Sequence, residues 1–245
     1  MDCRVRTNTD HRAPPVGTVA ASALRLLITE VTDIHPGICC VAGWDPAGRR
    51  MVRPLPDGVH WPRSLIEAAG VAPGATIAVV PNRIRLRGDF PHRTEDLPID
   101  LSPIEHLADR PIDWFGPDAP PAAASLNEAF GGTIRYTSLW RGHRRGTHVP
   151  TGTRTCSLHG LRIPSRSLGF VEADDRPRAL LQDAGARFSL PVACRALRDI
   201  WRSEGIAAMR RALPVATDLH VRVGLARGFS EHGDRCYLMI NGVLW

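Results

Sequence analysis

Four residues carry the chemistry of zinc ligands. Cys156-x-x-His159 and His232-x-x-x-Cys236 offer two thiolates and two imidazoles, a set zinc accepts in tetrahedral geometry. Two features speak against them. Cys156 and His159 fall three apart in a predicted strand, so their side chains leave opposite faces. Neither spacing is that of a zinc ribbon or finger. Glu172, Asp174 and Asp175 form an acidic group of the kind that holds a divalent cation, but Arg176 and Pro177 follow at once and the segment reads as a charged hairpin turn. The ten histidines are general-base candidates without a Ser-His-Asp setting. There is no Gly-x-Ser-x-Gly elbow, no His-Glu-x-x-His and no Gly-x-Gly-x-x-Gly after a strand. No catalytic residue, metal or cofactor is therefore assigned. A nucleotide-directed hydrolase, its site built from scattered histidines and the Glu172 group in a cleft, stays open as an alternative, as does a protein-interaction module.

The basic residues point elsewhere. All 31 are Arg, with no Lys in the chain, a bias that a GC-rich genome would produce. Whatever its origin, it excludes a Walker-type phosphate lysine, a kinase strand lysine and a Schiff-base lysine. Between Glu128 and Glu172 there is no acidic residue, yet Arg135, Arg141, Arg144, Arg145, Arg154, Arg162 and Arg166 lie there. Those seven exceed the net charge of +6 for the whole chain, so the basicity is concentrated. Tyr136 and Trp140 stand beside the densest part, Trp140-Arg141-Gly142-His143-Arg144-Arg145-Gly146. Arginines interleaved with rings can hold a phosphate backbone while bases stack. Arg83, Arg85 and Arg87 alternate with Ile84 and Leu86 and would share one face of a strand. The candidate nucleic-acid contacts are therefore Arg83, Arg85, Arg87, Arg135, Tyr136, Trp140, Arg141, Arg144, Arg145 and Arg154. The plainer reading of 135–166 is a solvated basic loop.

The elements that must position these residues read as short strands. Gly 22 and Pro 21 favour turns over long helices. Leu24 to Val31, Ile38 to Trp44 and Arg49 to Leu55 form a three-strand meander, with turns at Asp33 to Gly37 and Asp45 to Gly48. Trp61 to Gly70 reads as a helix with Pro62 in its first turn, and Ala75 to Leu86 as a strand with Pro81 at a bulge or edge. From His92 to Ala124 the chain is acidic and Pro-rich and reads as surface loop, with a helical turn at Pro103 to Ala108. Ser125 to Phe130 reads as a second short helix. Strands follow at Cys156 to Ile163, Ser167 to Glu172, Arg178 to Leu181 and Ala186 to Val192. A helix from Ala196 to Ala212, interrupted at Gly205, precedes a closing hairpin of Leu219 to Leu225 and Cys236 to Leu244.

Six cysteines without a Cys-x-x-Cys pair read as free thiols. No apolar run approaches the roughly 18 residues a span needs, and Arg25 breaks the one stretch that could imitate a secretion signal. The expectation is a cytoplasmic protein without a membrane partner.

Cys40-Val41-Ala42-Gly43 followed by Arg50-Met51-Val52-Arg53-Pro54 is similar to the opening of the bacterial dual OB-containing domain family. Arg222-Val223-Gly224-Leu225-Ala226-Arg227 and Cys236-Tyr237-Leu238-Met239-Ile240-Asn241-Gly242-Val243 resemble its closing hairpin, and Phe188-Ser189-Leu190-Pro191-Val192 its aromatic-x-Leu-Pro strand end. The resemblance implies two oligonucleotide-binding (OB) barrels and an accessory part in bacterial genome defence or nucleic-acid processing, beside a catalytic partner protein. The expected architecture is mainly β: a tail over 1–21, a first OB-like barrel over 22–101, a Pro-rich then Arg-rich connector over 102–150, and a second OB-like barrel over 151–245. The expected function is binding of single-stranded DNA or RNA without catalysis.

Overall fold

The meander expected near the start of the chain is present in the computed structural model, which describes residues 23–84, 89–101, 104–109, 113–228 and 233–245. The tail expected over 1–21 lies outside the described residues, as do Arg85, Arg87 and His232. β1 (Leu24–His35), β2 (Ile38–Asp45) and β3 (Arg50–Pro56) pair antiparallel in order. β1 runs on to His35, beyond the expected Val31, because Pro36-Gly37 alone make the turn and His35 pairs with Ile38. β4 (Trp61–Pro62) joins β2 and leads into α1 (Arg63–Ala68), with Pro62 as its cap residue and not in its first turn.

β5 (Ala75–Val79) returns antiparallel to β1, and β6 (Asp96–Ile99) runs parallel to β3. A bridge from Pro81 to Ile99 ties the exit of β5 to the end of β6 and closes the circuit β1-β2-β3-β6-β5. With α1 between its third and fourth strands, this is an OB-like barrel. Its core holds Leu26, Ile28, Val41, Trp61, Ile66 and Ile77. Two expectations are corrected here. The strand predicted to reach Leu86 stops at Val79, because Pro81 lacks an amide proton and the Asn82 side chain accepts from the Ile84 N–H, turning the chain. Of the helical turn expected at 103–108, residues 105–108 instead belong to β7 (Glu105–Asp109), which pairs with the edge of β5 that would otherwise leave backbone groups unpaired, and Pro103 lies outside the described residues.

The stretch expected as a connector contributes β8 (Ala122–Ala123), α2 (Leu126–Ala129), β9 (Ser138–Trp140), β10 (His143–Arg145) and β11 (His148–Pro150). α2 is capped by Ser125, whose side chain accepts from the Glu128 N–H, while the Glu128 carboxylate accepts from the Ala124 N–H one residue before the cap. β12 (Leu158–Pro164) begins after Cys156, a short 3-10 turn at Ser165–Ser167 bends the path, and β13 (Leu168–Ala173) continues it. β14 (Arg176–Asp183) and β15 (Ala186–Pro191) complete a second meander. The helix expected over 196–212 is two pieces, α3 (Arg195–Glu204) and α4 (Ile206–Arg211), separated at Gly205. β16 (Asp218–Leu225) pairs with β12 and with β17 (Arg235–Leu244), and a parallel bridge from Val192 to Ile240 joins the end of the second meander to β17. The same circuit has closed a second time, with the helix again between third and fourth strands. Phe170, Leu181, Phe188, Leu190, Met209 and Val221 lie in its core. The mainly β class with two OB-like barrels is what the chain adopts.

The barrels meet over a polar seam. Glu30 of β1 and Arg222 of β16, both almost fully buried, pair at 2.9 Å, and the Asn241 amide donates to the other Glu30 oxygen at 2.6 Å. A Cβ at Gly160 would lie 2.8 Å from the Arg222 guanidinium and 2.9 Å from the Pro121 carbonyl, and one at Gly224 would overlap the Asn241 amide. Glycine at these two positions clears the space the network occupies. On one flank Arg53 donates to Asp96 at 2.6 Å and to Ser157 at 2.8 Å, and the His92 ring N–H donates to the Leu225 carbonyl at 2.9 Å. On the other, Asp33 takes Arg63 at 3.0 Å and Arg202 at 2.9 Å. Leu27, Trp44, Trp114 and Leu244 form a small apolar cluster across the join.

Candidate nucleic-acid interface

The Arg-rich segment folds as a β-hairpin on the margin of the second barrel. β9 and β10 pair through His143↔Trp140, Arg144↔Leu139 and Arg145↔Ser138. The two-residue loop is Arg141-Gly142, with φ of 49° and 77°; two left-handed residues in succession match the strand twist, and glycine at the second is the ordinary choice. The hairpin extends the sheet β13-β14-β15-β10-β9 through a parallel contact of Arg144 with Phe188, leaving β9 as the outer edge among the described residues.

Pairing register assigns the faces. Arg144 shares the side of Phe188, and its guanidinium lies 5.1 Å from the Tyr136 ring and 5.4 Å from the Phe188 ring. It covers an end of the core as well as presenting charge. His143 and Arg145, with Trp140 and Ser138 opposite them, look the other way. The Arg141 guanidinium stacks 4.9 Å from Trp140, while Tyr136 is exposed and Leu139 is 64% exposed.

That outward face continues across the meander. Phe188, Leu190, Ala179 and Leu181 point into the core, so Arg187, Ser189 and Pro191 of β15 and Arg176, Arg178, Leu180 and Gln182 of β14 point out. Arg178 bonds to the Ser189 hydroxyl at 2.7 Å. Burial, then the nearby Arg145, lowers the Arg178 pKa, while Asp174 opposes this and also pairs with Arg145. Two guanidiniums held that close favour an anion between them. Arg176, Arg178 and Arg187 escaped sequence reasoning: Arg176 was assigned to the charged turn, although Arg178 and Arg187 fall on the parity opposite the apolar residues of their expected strands.

Of the predicted contacts, the structure therefore brings together Tyr136, Trp140, Arg141, Arg144 and Arg145. Arg135 adjoins them, exposed, its backbone exchanging hydrogen bonds of 2.9 and 2.8 Å with His148. Arg154 does not join the hairpin; it lies exposed in the loop from β11 to β12, whose Gly152 N–H donates to the Phe90 carbonyl. Arg83 is exposed on the first barrel, past the end of β5, so the alternation expected to align it with Arg85 and Arg87 has no strand to rest on at Arg83.

The chemistry weighed against binding is engaged elsewhere. Glu172 accepts from the Trp201 indole at 2.9 Å. Cys156 is exposed and precedes β12, while the His159 ring packs edge-on 4.6 Å from Phe130. No group of three or more His, Cys, Asp or Glu among the described residues is placed to hold a metal. Histidines and carboxylates do gather at the seam, where burial, then Arg227 and Arg53, push His60 down to about 4, and burial, then Arg53, does the same to His92. Burial raises Glu95; on Asp96 burial pushes upward but Arg53 and Arg227 outweigh it and hold the carboxyl low. Glu95 accepts from the Leu158 N–H, Asp96 pairs with Arg227 and His92 donates to the Leu225 carbonyl, all across the join, which makes the group a clasp.

No helix among the described residues is long and apolar enough to cross a membrane. No family model matches the chain, and no curated protein matches it. Among solved structures the chain is similar to the crystal structure of the tetrameric p202 HIN2, at 8% identity and a TM-score of 0.32, over 90% of this chain and 92% of that one. A likeness that loose carries no argument.

Proposed function

We propose that the protein binds single-stranded nucleic acid, DNA or RNA, along the outward face of β14 and β15 and the β9–β10 hairpin. One observation carries this reading: Trp140, Arg141 and Arg145 project beside Arg176, Arg178 and Arg187 on one sheet margin, with the exposed Tyr136 ring against Arg144 next to it. OB barrels bind oligonucleotides over their second and third strands, the positions β14 and β15 hold here. Arginine forks grip phosphate oxygens. Exposed rings favour unstacked bases, which a single strand offers and a duplex withholds. The resemblance to the dual OB-containing family adds a setting, an accessory role in bacterial genome defence or nucleic-acid processing beside a catalytic partner protein.

The test is fluorescence anisotropy with labelled single-stranded RNA, single-stranded DNA and duplex over a salt series. Contact with about five phosphates would make the log–log slope roughly −3.5 for a single strand. Weakening by Trp140→Ala and by Arg141→Ala with Arg145→Ala supports the interface. Duplex preference would retain the charge argument and remove stacking, and no binding at low salt would sink the proposal.

A further inference from the structure

Across the same sheet from the hairpin, beside β13, lies a groove of about 860 Å³. Its walls are the bend between β12 and β13, the end of α4 and the loop 212–217. Three guanidiniums line it, those of Arg162, Arg166 and Arg210, against one carboxylate, Asp218. The carboxylate is committed: Arg162 donates to it at 2.8 Å. The Arg162 guanidinium also lies over the Phe115 ring at 4.8 Å. Arg210 is anchored through Nε to the Phe170 carbonyl at 2.7 Å, and its Nη groups have no other hydrogen bond among the described residues. Arg166 is exposed and has no ion-pair partner among them. Apart from Ser165 and Thr217 the rest of the lining is apolar, including Leu213 and Val215, the latter 90% exposed.

We propose that this groove binds a nucleoside phosphate. The positive excess calls for an anion that engages Arg166 and Arg210, and phosphate matches the planar donor fork of each. A bare inorganic anion would leave the apolar wall and the Phe115–Arg162 stack uncovered; a base covers both, since bases stack on rings and on guanidinium planes alike. The volume falls within that of small-molecule sites, roughly 300–1,000 Å³. The ligand is either a free nucleotide or the phosphorylated end of a strand, and both present the same chemistry. The groove is separate from the hairpin and stands whether or not the hairpin binds nucleic acid.

Titration of the full chain with adenosine 5′-monophosphate, inorganic phosphate and adenosine, followed by calorimetry, tests it. The expected result is at least ten-fold tighter binding of the monophosphate than of phosphate or adenosine. Arg166→Glu, at an exposed position, should weaken it at least ten-fold, as should Arg210→Gln, while Arg141→Ala leaves it unchanged. Equal affinity for phosphate and monophosphate, or full retention in Arg166→Glu, overturns the proposal. Competition in an Arg141→Ala, Arg145→Ala background separates the sources. Displacement of the monophosphate only by a 5′-phosphorylated oligonucleotide identifies a strand end, and displacement by neither oligonucleotide identifies a free nucleotide. Equal displacement by a 5′-hydroxyl oligonucleotide would make the groove a general backbone contact and overturn the assignment.

Discussion

The two barrels follow one path and expose opposite things. In the first, the outward positions of the second and third strands are Cys40, Ala42, Trp44, Met51 and Arg53, and the second barrel covers them: Met51 meets Arg222, Arg53 reaches Ser157, and Trp44 packs with Leu244. In the second, the equivalent positions carry Arg176 and Arg187, exposed beside the hairpin, and the half-buried Arg178, which lies over Ser189. A buried arginine and an exposed one are the same residue type doing different work. Arg53 and Arg222 hold the seam, Arg53 matched by the Asp96 carboxylate and the Ser157 hydroxyl and Arg222 by the Glu30 carboxylate. Arg187 and Arg141 have no ion pair among the described residues and remain available to an external anion.

Breaking the covered face should cost most. Glu30→Ala leaves Arg222 charged and buried without its partner, and unfolding in urea should report a loss of about 3–5 kcal/mol. A double change, Glu30→Leu with Arg222→Met, removes both charges and should recover much of that loss. If Glu30→Ala instead cost less than about 1 kcal/mol, the buried pair would not be a determinant of stability.

Acid probes the same face. His60, His92, His159 and His220 have pKa values lowered from 6.5 to about 4, by burial first and then by nearby arginines. Between those values the unfolded chain binds more protons than the folded one, so the stability these groups contribute is complete above pH 6.5 and falls as the pH drops toward 4. Glu95 and Asp183, both raised by burial, act in the opposite direction, but they are two groups against four. The denaturation midpoint should fall from pH 7 to pH 5, by roughly the 2 kcal/mol one such histidine supplies or more. A midpoint flat over that interval would contradict the burial of the seam histidines.

On the open face the effects should appear in binding alone. Trp140→Ala should weaken single-strand binding by about 1–3 kcal/mol, the value of one stacked base, with the circular dichroism spectrum and urea midpoint unchanged. Arg187→Ala is the smallest of the expected effects, lowering the magnitude of the salt slope by about 0.7 on a single strand without altering stability. If Arg187→Ala destabilised the fold instead, the distinction between the two faces would fail.

Much of the first barrel was legible because its cues are local. The turns at Pro36-Gly37 and Asp45 to Gly48 punctuate apolar runs of strand length, and Gly70 follows α1 as a helix stop does. The density of Arg141, Arg144 and Arg145 beside Trp140 was equally plain, but the segment read as a loop, and the β9–β10 hairpin turning at Arg141-Gly142 appears only in the structure. β7 was misread as helical, because the reason for its extended form is an unpaired edge on β5, which no local pattern announces.

Composition and spacing by themselves determined a mainly β chain of short strands, with its charge gathered between Glu128 and Glu172. Only the tertiary structure decided which arginines are structural. Glu30 and Arg222 are 192 residues apart, and alternation along a strand distinguishes its two faces without saying what will cover each. A β-strand buried on both sides reads differently from one buried on one side only once its docking partner is known. Here that partner is the other barrel, which covers the outward face of the second and third strands in one barrel and leaves the corresponding face of the other exposed.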